Sequence, residues 1–223
     1  RHTRYISVTG VQTCALPIYL LIESDLSDLT VLLEYQLPYT SKRIDALLIG
    51  SNPKNSNPVL IAIELKQWSD AMLVEGVPEL VQIPSYGNYS VIHPALQVKN
   101  YCDYLLDFNR FVASDSTQLF GLAYLHNWLT PRTSVIDQIP SSNDANIFLG
   151  SERGKLKEFI KARITAEFSD RFADDFLVAR LAPTKQLMAV AADEIRNREQ
   201  FILLDEQQVA FSMVLKEIGR AHV

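Results

Sequence analysis

The sequence has little of what a disulfide scaffold, a cysteine-based zinc site or a membrane span requires. Its 223 residues include only two cysteines, Cys14 and Cys102, too few for a disulfide framework or a zinc site of that kind. No run approaches the roughly 18 apolar residues that cross a bilayer. The phosphate-binding pattern G-x-x-x-x-G-K-[ST] does not occur. We therefore expect a soluble, cytoplasmic chain that contacts no membrane and does not itself hydrolyse ATP.

Both ends of the chain resemble translated sequencing adapter. Residues 8–18 read VTGVQTCALPI, which is one translation of a common adapter, and residues 218–223 (IGRAHV) match a translation of its reverse complement. We expect residues 1–18 and 218–223 to be non-native and poorly packed, because they were not selected to fit a core. The remaining 19–217 are expected to be a gene fragment truncated on both sides.

Acidic residues outnumber basic ones. The whole chain carries a formal net charge of −5, which falls to −8 without Arg1, Arg4 and Arg220 of the adapter-like ends. Such a charge opposes sequence-blind binding along a phosphate backbone. It still permits a local basic groove, or acidic metal ligands at a site.

Alternating apolar residues and turn formers predict an α/β fold. The predicted strands are Thr30–Leu37, Arg43–Ile49, Val59–Trp68 and Gln118–Leu125. Short connections favour an antiparallel meander for the first three strands. A helix predicted from Pro94 to about Phe108 then provides the crossover that a fourth strand needs. The near-continuous apolar start of the third strand indicates a central position in the sheet.

Less regular stretches separate and follow these elements. Residues 69–92 contain two prolines, two glycines and two tyrosines and are predicted to form a long loop over a site. A polar loop is predicted at Pro140–Asn146. The rest is predicted to be helical, at Glu152–Ile164, Ala173–Val178, Lys185–Arg196 and Glu206–Lys216, with Phe201–Leu204 as a short apolar link.

Charged residues on the second and third strands predict a metal site. Asp45 lies near the start of one strand, and Glu64 and Lys66 lie on one face near the end of the next. Charges in apolar strands are rarely buried unless they are paired or bind metal. Asp45 and Glu64 would offer hard oxygen ligands to Mg²⁺ or Mn²⁺. Lys66 would position the attacking water or neutralise charge on a phosphate, which predicts phosphodiester hydrolysis.

A purely structural interpretation of the same residues stays open. Asp45 would then pair with Arg43 or Lys66, and Glu64 would mark where its strand emerges into solvent. Glu34, on the first strand, is either a carboxylate behind the metal ligands or an exposed strand residue. The sequence does not choose between these interpretations.

Two polar residues of the predicted helix extend the pattern. Gln97 and Tyr101 are four residues apart and share one helical face. The spacing is similar to the Gln-x-x-x-Tyr motif that follows the catalytic lysine in RecB-like nucleases, where these residues help to hold nucleic acid near the metal. An ordinary amphipathic helix with Tyr101 in the core is the alternative. His93 is better explained as a helix-start residue than as part of the site.

The ordered set of Asp45, Glu64, Lys66, Gln97 and Tyr101 resembles the PD-(D/E)XK nucleases. That resemblance implies a restriction-endonuclease-like core over residues 19–180, a mixed sheet of about four strands flanked by helices, followed by a helical C-terminal segment. The longer string LLEYQLPYTSKRIDALLIG…IAIELKQW…QVKNY is similar to the N-terminal domain of an uncharacterised bacterial family of DNA/RNA-helicase-domain proteins. In that family a P-loop ATPase related to superfamily 1 helicases follows the nuclease-like domain.

The family resemblance also implies partners and cofactors. Nucleic acid is the expected partner, DNA rather than RNA, together with a downstream helicase/ATPase domain that would begin within residues 181–217. Gln207 opens a stretch similar to the helicase Q-motif, whose glutamine contacts adenine, so ATP is expected only in a full-length protein. Nucleases of this fold usually carry a glutamate on a helix before the first strand, and Glu23 is a weak substitute for it.

Two other classes of function remain alternatives to hydrolysis. A non-catalytic module of the helicase would bind nucleic acid without metal and without cleavage. A structural α/β domain that only mediates protein contacts would do neither.

Overall fold

Apolar alternation in the sequence produces a strand-rich fold in the computed structural model, which describes residues 5–7, 21–23, 25–87 and 89–197. The strands are β1 (Tyr5–Ser7), β2 (Thr30–Gln36), β3 (Arg43–Ser51), β4 (Pro58–Lys66), β5 (Met72–Leu73), β6 (Leu80–Ile83), β7 (Tyr89–Ile92), β8 (Gln118–Leu125) and β9 (Asn146–Leu149). The α-helices are α1 (Pro94–Phe108), α2 (Arg153–Lys161), α3 (Ser169–Val178) and α4 (Lys185–Asn197).

The main sheet is mixed and has the order β1-β2-β3-β4-β8-β9. The strands β2, β3 and β4 form an antiparallel meander, and β8 pairs parallel with β4 after α1 crosses over. The predicted meander and crossover are therefore confirmed. β4 lies between β3 and β8, which explains why its sequence is apolar at consecutive positions.

Helices cover both faces of this sheet and build a three-layer α/β/α arrangement. One face packs against α1 and α3, through a cluster that includes Leu47, Leu60, Val98, Leu105 and Phe176. The opposite face packs against α2, through a cluster that includes Leu48, Ile61, Ile63, Leu156 and Ile160. Successive residues of β3 and β4 thus point into different clusters, as the pleat of a strand requires.

Two stretches differ from the sequence prediction. Residues 69–92 are not an irregular loop, because β5, β6 and β7 form a small antiparallel sheet within them. The strand β9 follows the predicted polar loop and pairs parallel with β8. These strands have two to four residues each, which is too short for a period of two to stand out from turn formers such as Pro84 and Gly87.

Part of the N-terminal segment that resembles adapter is described. Within it, β1 pairs parallel with β2 at the edge of the sheet. An edge strand presents unpaired N–H and C=O groups with which any extended segment can pair. The predicted link Phe201–Leu204 and helix Glu206–Lys216 lie outside the described residues. α4 confirms the predicted helix before them.

Two observations concern the helices and the cysteine of the described part of the chain. None of its helices is long and apolar enough to cross a membrane. Cys102 is a free, buried thiol on α1. Burial raises the pKa of this thiol above its usual range, so it behaves as a core residue.

A glycine on β8 permits the close approach of α1 and a neighbouring loop. A Cβ atom at Gly121 would overlap the backbone carbonyl of Asp144 and would lie 2.8 Å from the Sγ atom of Cys102. We expect Gly121→Ala to lower the free energy of unfolding by roughly 1–3 kcal/mol, because backbone must move to admit the methyl group. Urea denaturation measures this change.

Gly154 of α2 supplies the matched control for that substitution. A Cβ atom there would meet nothing within 4 Å. Gly154→Ala is expected to raise stability by up to about 1 kcal/mol through helix propensity. A Gly121→Ala protein as stable as the wild type would contradict the packing argument.

Candidate active site at the ends of the central strands

The end of the β3–β4 ladder positions the two candidate carboxylates. The last paired residues are Ala46 and Ile63, so Asp45 and Glu64 occupy the next position on each strand. The Oδ2 atom of Asp45 accepts a 2.7 Å hydrogen bond from the backbone N–H of Leu65. The Asp45 side chain therefore continues the ladder by one bond and is fixed against β4.

Glu64 is the centre of a polar network in an apolar layer. Glu64 is only 5% exposed to solvent. The Oε1 atom accepts 2.7 Å hydrogen bonds from Nζ of Lys66 and from Nε2 of Gln97. The Gln97 Nε2 atom also donates to the hydroxyl of Tyr101 at 2.7 Å, so the helix residues hold one carboxylate oxygen in place.

The other oxygen of Glu64 has no hydrogen-bond partner among the described residues. This Oε2 atom is buried from solvent. Buried carboxylate oxygens normally accept hydrogen bonds or coordinate a cation, because an unsatisfied buried acceptor costs about 1–3 kcal/mol. The buried Oε2 atom without a protein donor is therefore the clearest chemical feature of the site.

Burial and like charge shift the ionisation of the two carboxylates. Burial, and then repulsion from Asp45, raises the pKa of Glu64 to about 7, although Lys66 and Gln97 oppose the shift. Burial also raises the pKa of Asp45, against the hydrogen bond from Leu65. Two carboxylates held together away from water resist carrying two negative charges, which is the condition that a bound cation relieves.

Lys66 and Tyr101 complete the electrostatics of the pair. The Lys66 ammonium lies 5.5 Å from the ring centroid of Trp68, within the range of a cation–π interaction. Burial, and then the charge of Glu64, raises the pKa of Tyr101 to about 12. Lys66 is thus held between Glu64 and an aromatic ring, and Tyr101 serves as a neutral hydroxyl.

Glu34 lies close enough to act on Asp45 but does not join the pair. It has a left-handed backbone conformation with φ of 51°, which interrupts the alternation of β2. Its carboxylate lies 3.7 Å from a guanidinium nitrogen of Arg43, and its charge contributes to the raised pKa of Asp45. Glu34 therefore acts on Asp45 through its charge, and its role behind the metal ligands stays a prediction.

The purely structural interpretation predicts different contacts from those observed. Arg43 lies near Glu34 and Lys66 pairs with Glu64, so within the described ranges Asp45 forms an ion pair with neither. Glu64 is buried where that interpretation places it at the solvent boundary. Tyr101 is buried, as the core interpretation expects, and its hydroxyl also accepts a hydrogen bond from Gln97.

Asp45 and Glu64 are the two residues of the site that could hold a cation. No cluster of three or more His, Cys, Asp or Glu side chains suited to a metal occurs among the described residues. Mg²⁺ is commonly held by one or two carboxylates, with waters and substrate phosphates completing six ligands. A pair of carboxylates is a donor set of that kind, and Oε2 of Glu64 is the oxygen without a hydrogen-bond partner among the described residues.

Beside the pair lies a cavity of about 530 Å³, hereafter the side cavity. It is lined by Lys42, Lys66, Trp68, Val91, Ile92, Gln97, Asn100 and Tyr101. Trp68 lies two residues beyond the end of β4, so the strand period does not place its side chain, which the contact with Lys66 shows to be near the site. Val91 and Ile92 belong to β7, whose existence the sequence pattern did not indicate.

Three other residues from the sequence analysis lie away from the site or outside the described structure. The Glu23 carboxylate pairs with Arg153 and Lys157 on α2, on the opposite face of the sheet, and so does not replace an upstream catalytic glutamate. The buried His93 caps α1 by accepting from the N–H of Ala95. Gln207 lies outside the described residues.

Comparison with known proteins adds no family to this description. The chain matches no protein-family model, no curated protein and no solved structure. The functional argument therefore rests on the geometry of the site.

Proposed function

We propose that this domain hydrolyses phosphodiester bonds of nucleic acid with the help of Mg²⁺ or Mn²⁺ bound by Asp45 and Glu64. The observation that carries the proposal is the unpartnered, buried Oε2 atom of Glu64 beside a second carboxylate of raised pKa. The meander, crossover and ordered residues also support a restriction-endonuclease-like core. The downstream helicase/ATPase domain remains part of the proposal through sequence resemblance alone.

Each residue of the network has a distinct part in this chemistry. A divalent cation at the pair would polarise a phosphate oxygen and lower the pKa of a bound water. Lys66 places a positive charge beside the pair, where it would stabilise the negative charge that develops on the phosphate. Gln97 binds Oε1 of Glu64 and so leaves Oε2 free for coordination. Tyr101 holds the Gln97 amide in that orientation.

A cleavage assay tests the proposal. Labelled single- and double-stranded DNA and RNA are incubated with the protein in Mg²⁺, in Mn²⁺ or in EDTA. We expect metal-dependent cleavage, which Asp45→Asn and Lys66→Ala each reduce by about 100-fold or more, because a ligand or a charge acting in the transition state is lost. Activity unchanged by both substitutions would exclude this site as the catalytic centre.

Matched variants control for nonspecific effects in that assay. Asp174→Asn removes an exposed carboxylate on α3, and Lys155→Ala removes an exposed lysine on α2. Both are expected to retain wild-type cleavage. Nucleic-acid binding without cleavage or metal dependence would instead favour a non-catalytic module of a helicase.

A further inference from the structure

The side cavity has chemistry that the two metal ligands do not require. Its walls combine the apolar side chains Val91 and Ile92 with the indole of Trp68. Lys42 and Lys66 supply cations, and Asn100 supplies an amide. A volume of about 530 Å³ lies within the roughly 300–1,000 Å³ typical of small-ligand pockets, which is ample for a nucleotide.

The surroundings disfavour a substrate that is bound through its phosphates alone. Two lysines line the side cavity, and Lys66 already shares its charge with Glu64. The whole chain has a net charge of −5. Affinity for nucleic acid from phosphate neutralisation grows with the number of cations that contact the backbone. Contacts to a base must therefore supply a large part of the binding.

We infer that the side cavity takes one unpaired nucleotide, so that the substrate class is single-stranded nucleic acid. The inference rests on the proposed function, since it names the substrate of the same site. An apolar wall and an indole suit the face of a base, and an amide donates to and accepts from base edges. A base in a duplex is stacked and paired, and reaches such a cavity only after extrusion from the helix. Lys66 lines the side cavity and pairs with Glu64, so the phosphate next to the bound base would lie beside the lysine that contacts this carboxylate.

Binding in EDTA tests the inference separately from catalysis. Fluorescence anisotropy compares a labelled oligothymidylate of about 12 nucleotides with a duplex of the same length, at fixed ionic strength, on the full chain. We expect the single strand to bind at least about tenfold more tightly, because only unpaired bases enter the cavity. A duplex that binds equally well or better, or no detectable binding of the single strand, would overturn the inference.

A charge-introducing substitution locates the binding. Asn100 is an exposed residue of α1, and its amide makes no side-chain hydrogen bond to another described residue. Asn100→Glu should place a negative charge at the side cavity without disturbing the core and weaken single-strand binding about tenfold or more, because the charge repels the phosphates next to the bound base. Leu106→Glu, at an exposed position of the same helix outside the cavity, is the matched control and should bind as the wild type does. Equal binding by the two variants would contradict the assignment.

The binding and cleavage assays fail in distinguishable ways. Metal-dependent cleavage that requires Asp45 but shows no single-strand preference would leave the hydrolytic function in place and remove the inference. Single-strand binding that Asn100→Glu weakens, without any cleavage, would support the side cavity as the binding site and reject the hydrolytic function.

Discussion

Replacing Glu64 with glutamine is expected to stabilise the metal-free protein at pH 8 and to have a much smaller effect at pH 5. The buried carboxyl has a pKa of about 7 in the fold, against 4.5 as its ordinary value. Between these values the folded state binds more protons than the unfolded state, so the free energy of unfolding falls as pH rises. A shift of this size changes stability by about 2–3 kcal/mol between pH 5 and pH 8. Glutamine has the same shape as glutamate but cannot ionise, so the unfolding free energy of the variant does not fall in this way as the pH rises.

Chemical unfolding in EDTA at both pH values measures the effect. The difference in unfolding free energy between Glu64→Gln and the wild type should grow toward pH 8, in favour of the variant. Glu158→Gln, which removes an exposed carboxylate on α2, controls for the loss of one negative charge. A Glu64→Gln protein that is less stable than the wild type at pH 8 would show that the ionised carboxylate is satisfied without a cation.

A bound cation is expected to reverse the stability order of the wild type and Glu64→Gln. A cation that binds Oε2 of Glu64 would stabilise the wild type at pH 8 and should not stabilise Glu64→Gln to the same extent. Glu64 would thus lower the stability of the metal-free fold and provide a binding site for the cation. A buried carboxyl of raised pKa that two polar side chains hold in place is typical of a functional position rather than of core packing.

The site was partly predictable because its residues lie on long, regular elements. Asp45, Glu64 and Lys66 occupy strands whose alternation is clear in the sequence, and Gln97 and Tyr101 share a face of a well-marked helix. Those patterns place side chains on faces. They do not give the rotation of α1 relative to the sheet. That rotation brings Nε2 of Gln97 to 2.7 Å from Oε1 of Glu64.

Three features were not predicted from the sequence, each for a different physical reason. The strands β5, β6 and β7 of the small sheet are too short for the alternation of apolar and polar residues to be visible in the sequence. They are stabilised by pairing with one another, which a local pattern does not show. The left-handed conformation of Glu34 breaks the period of β2 at the point where it matters for Asp45. Val91 and Ile92 reach the side cavity only because that small sheet forms, so no local pattern indicates their role.

Removing the Lys66 ammonium is expected to destabilise the protein by roughly 2–3 kcal/mol at pH 8 and by about 1 kcal/mol at pH 5. The Lys66→Met side chain keeps the apolar stem but loses the 2.7 Å contact with Oε1 of Glu64. An uncompensated buried charge costs about 3–5 kcal/mol when its partner is removed, and Glu64 limits that cost by taking up a proton. At pH 5 the carboxyl is already largely protonated, given its pKa of about 7, so roughly one hydrogen bond is lost.

A double-mutant cycle separates this coupling from the general effect of losing a lysine. In the Glu64→Gln background, Lys66→Met should cost at most about 1 kcal/mol at pH 8, since no buried charge is left to expose. Lys155→Met removes the partner of Glu152 at a side chain that is 71% exposed, and should change stability by less than about 1 kcal/mol. An equal cost of Lys66→Met in both backgrounds would mean that Lys66 stabilises the fold through packing on Trp68 instead of through the charge of Glu64. Loss of cleavage in Lys66→Met would then reflect the altered fold, whereas a strong coupling at pH 8 ties the lysine directly to the carboxylate proposed to hold the metal.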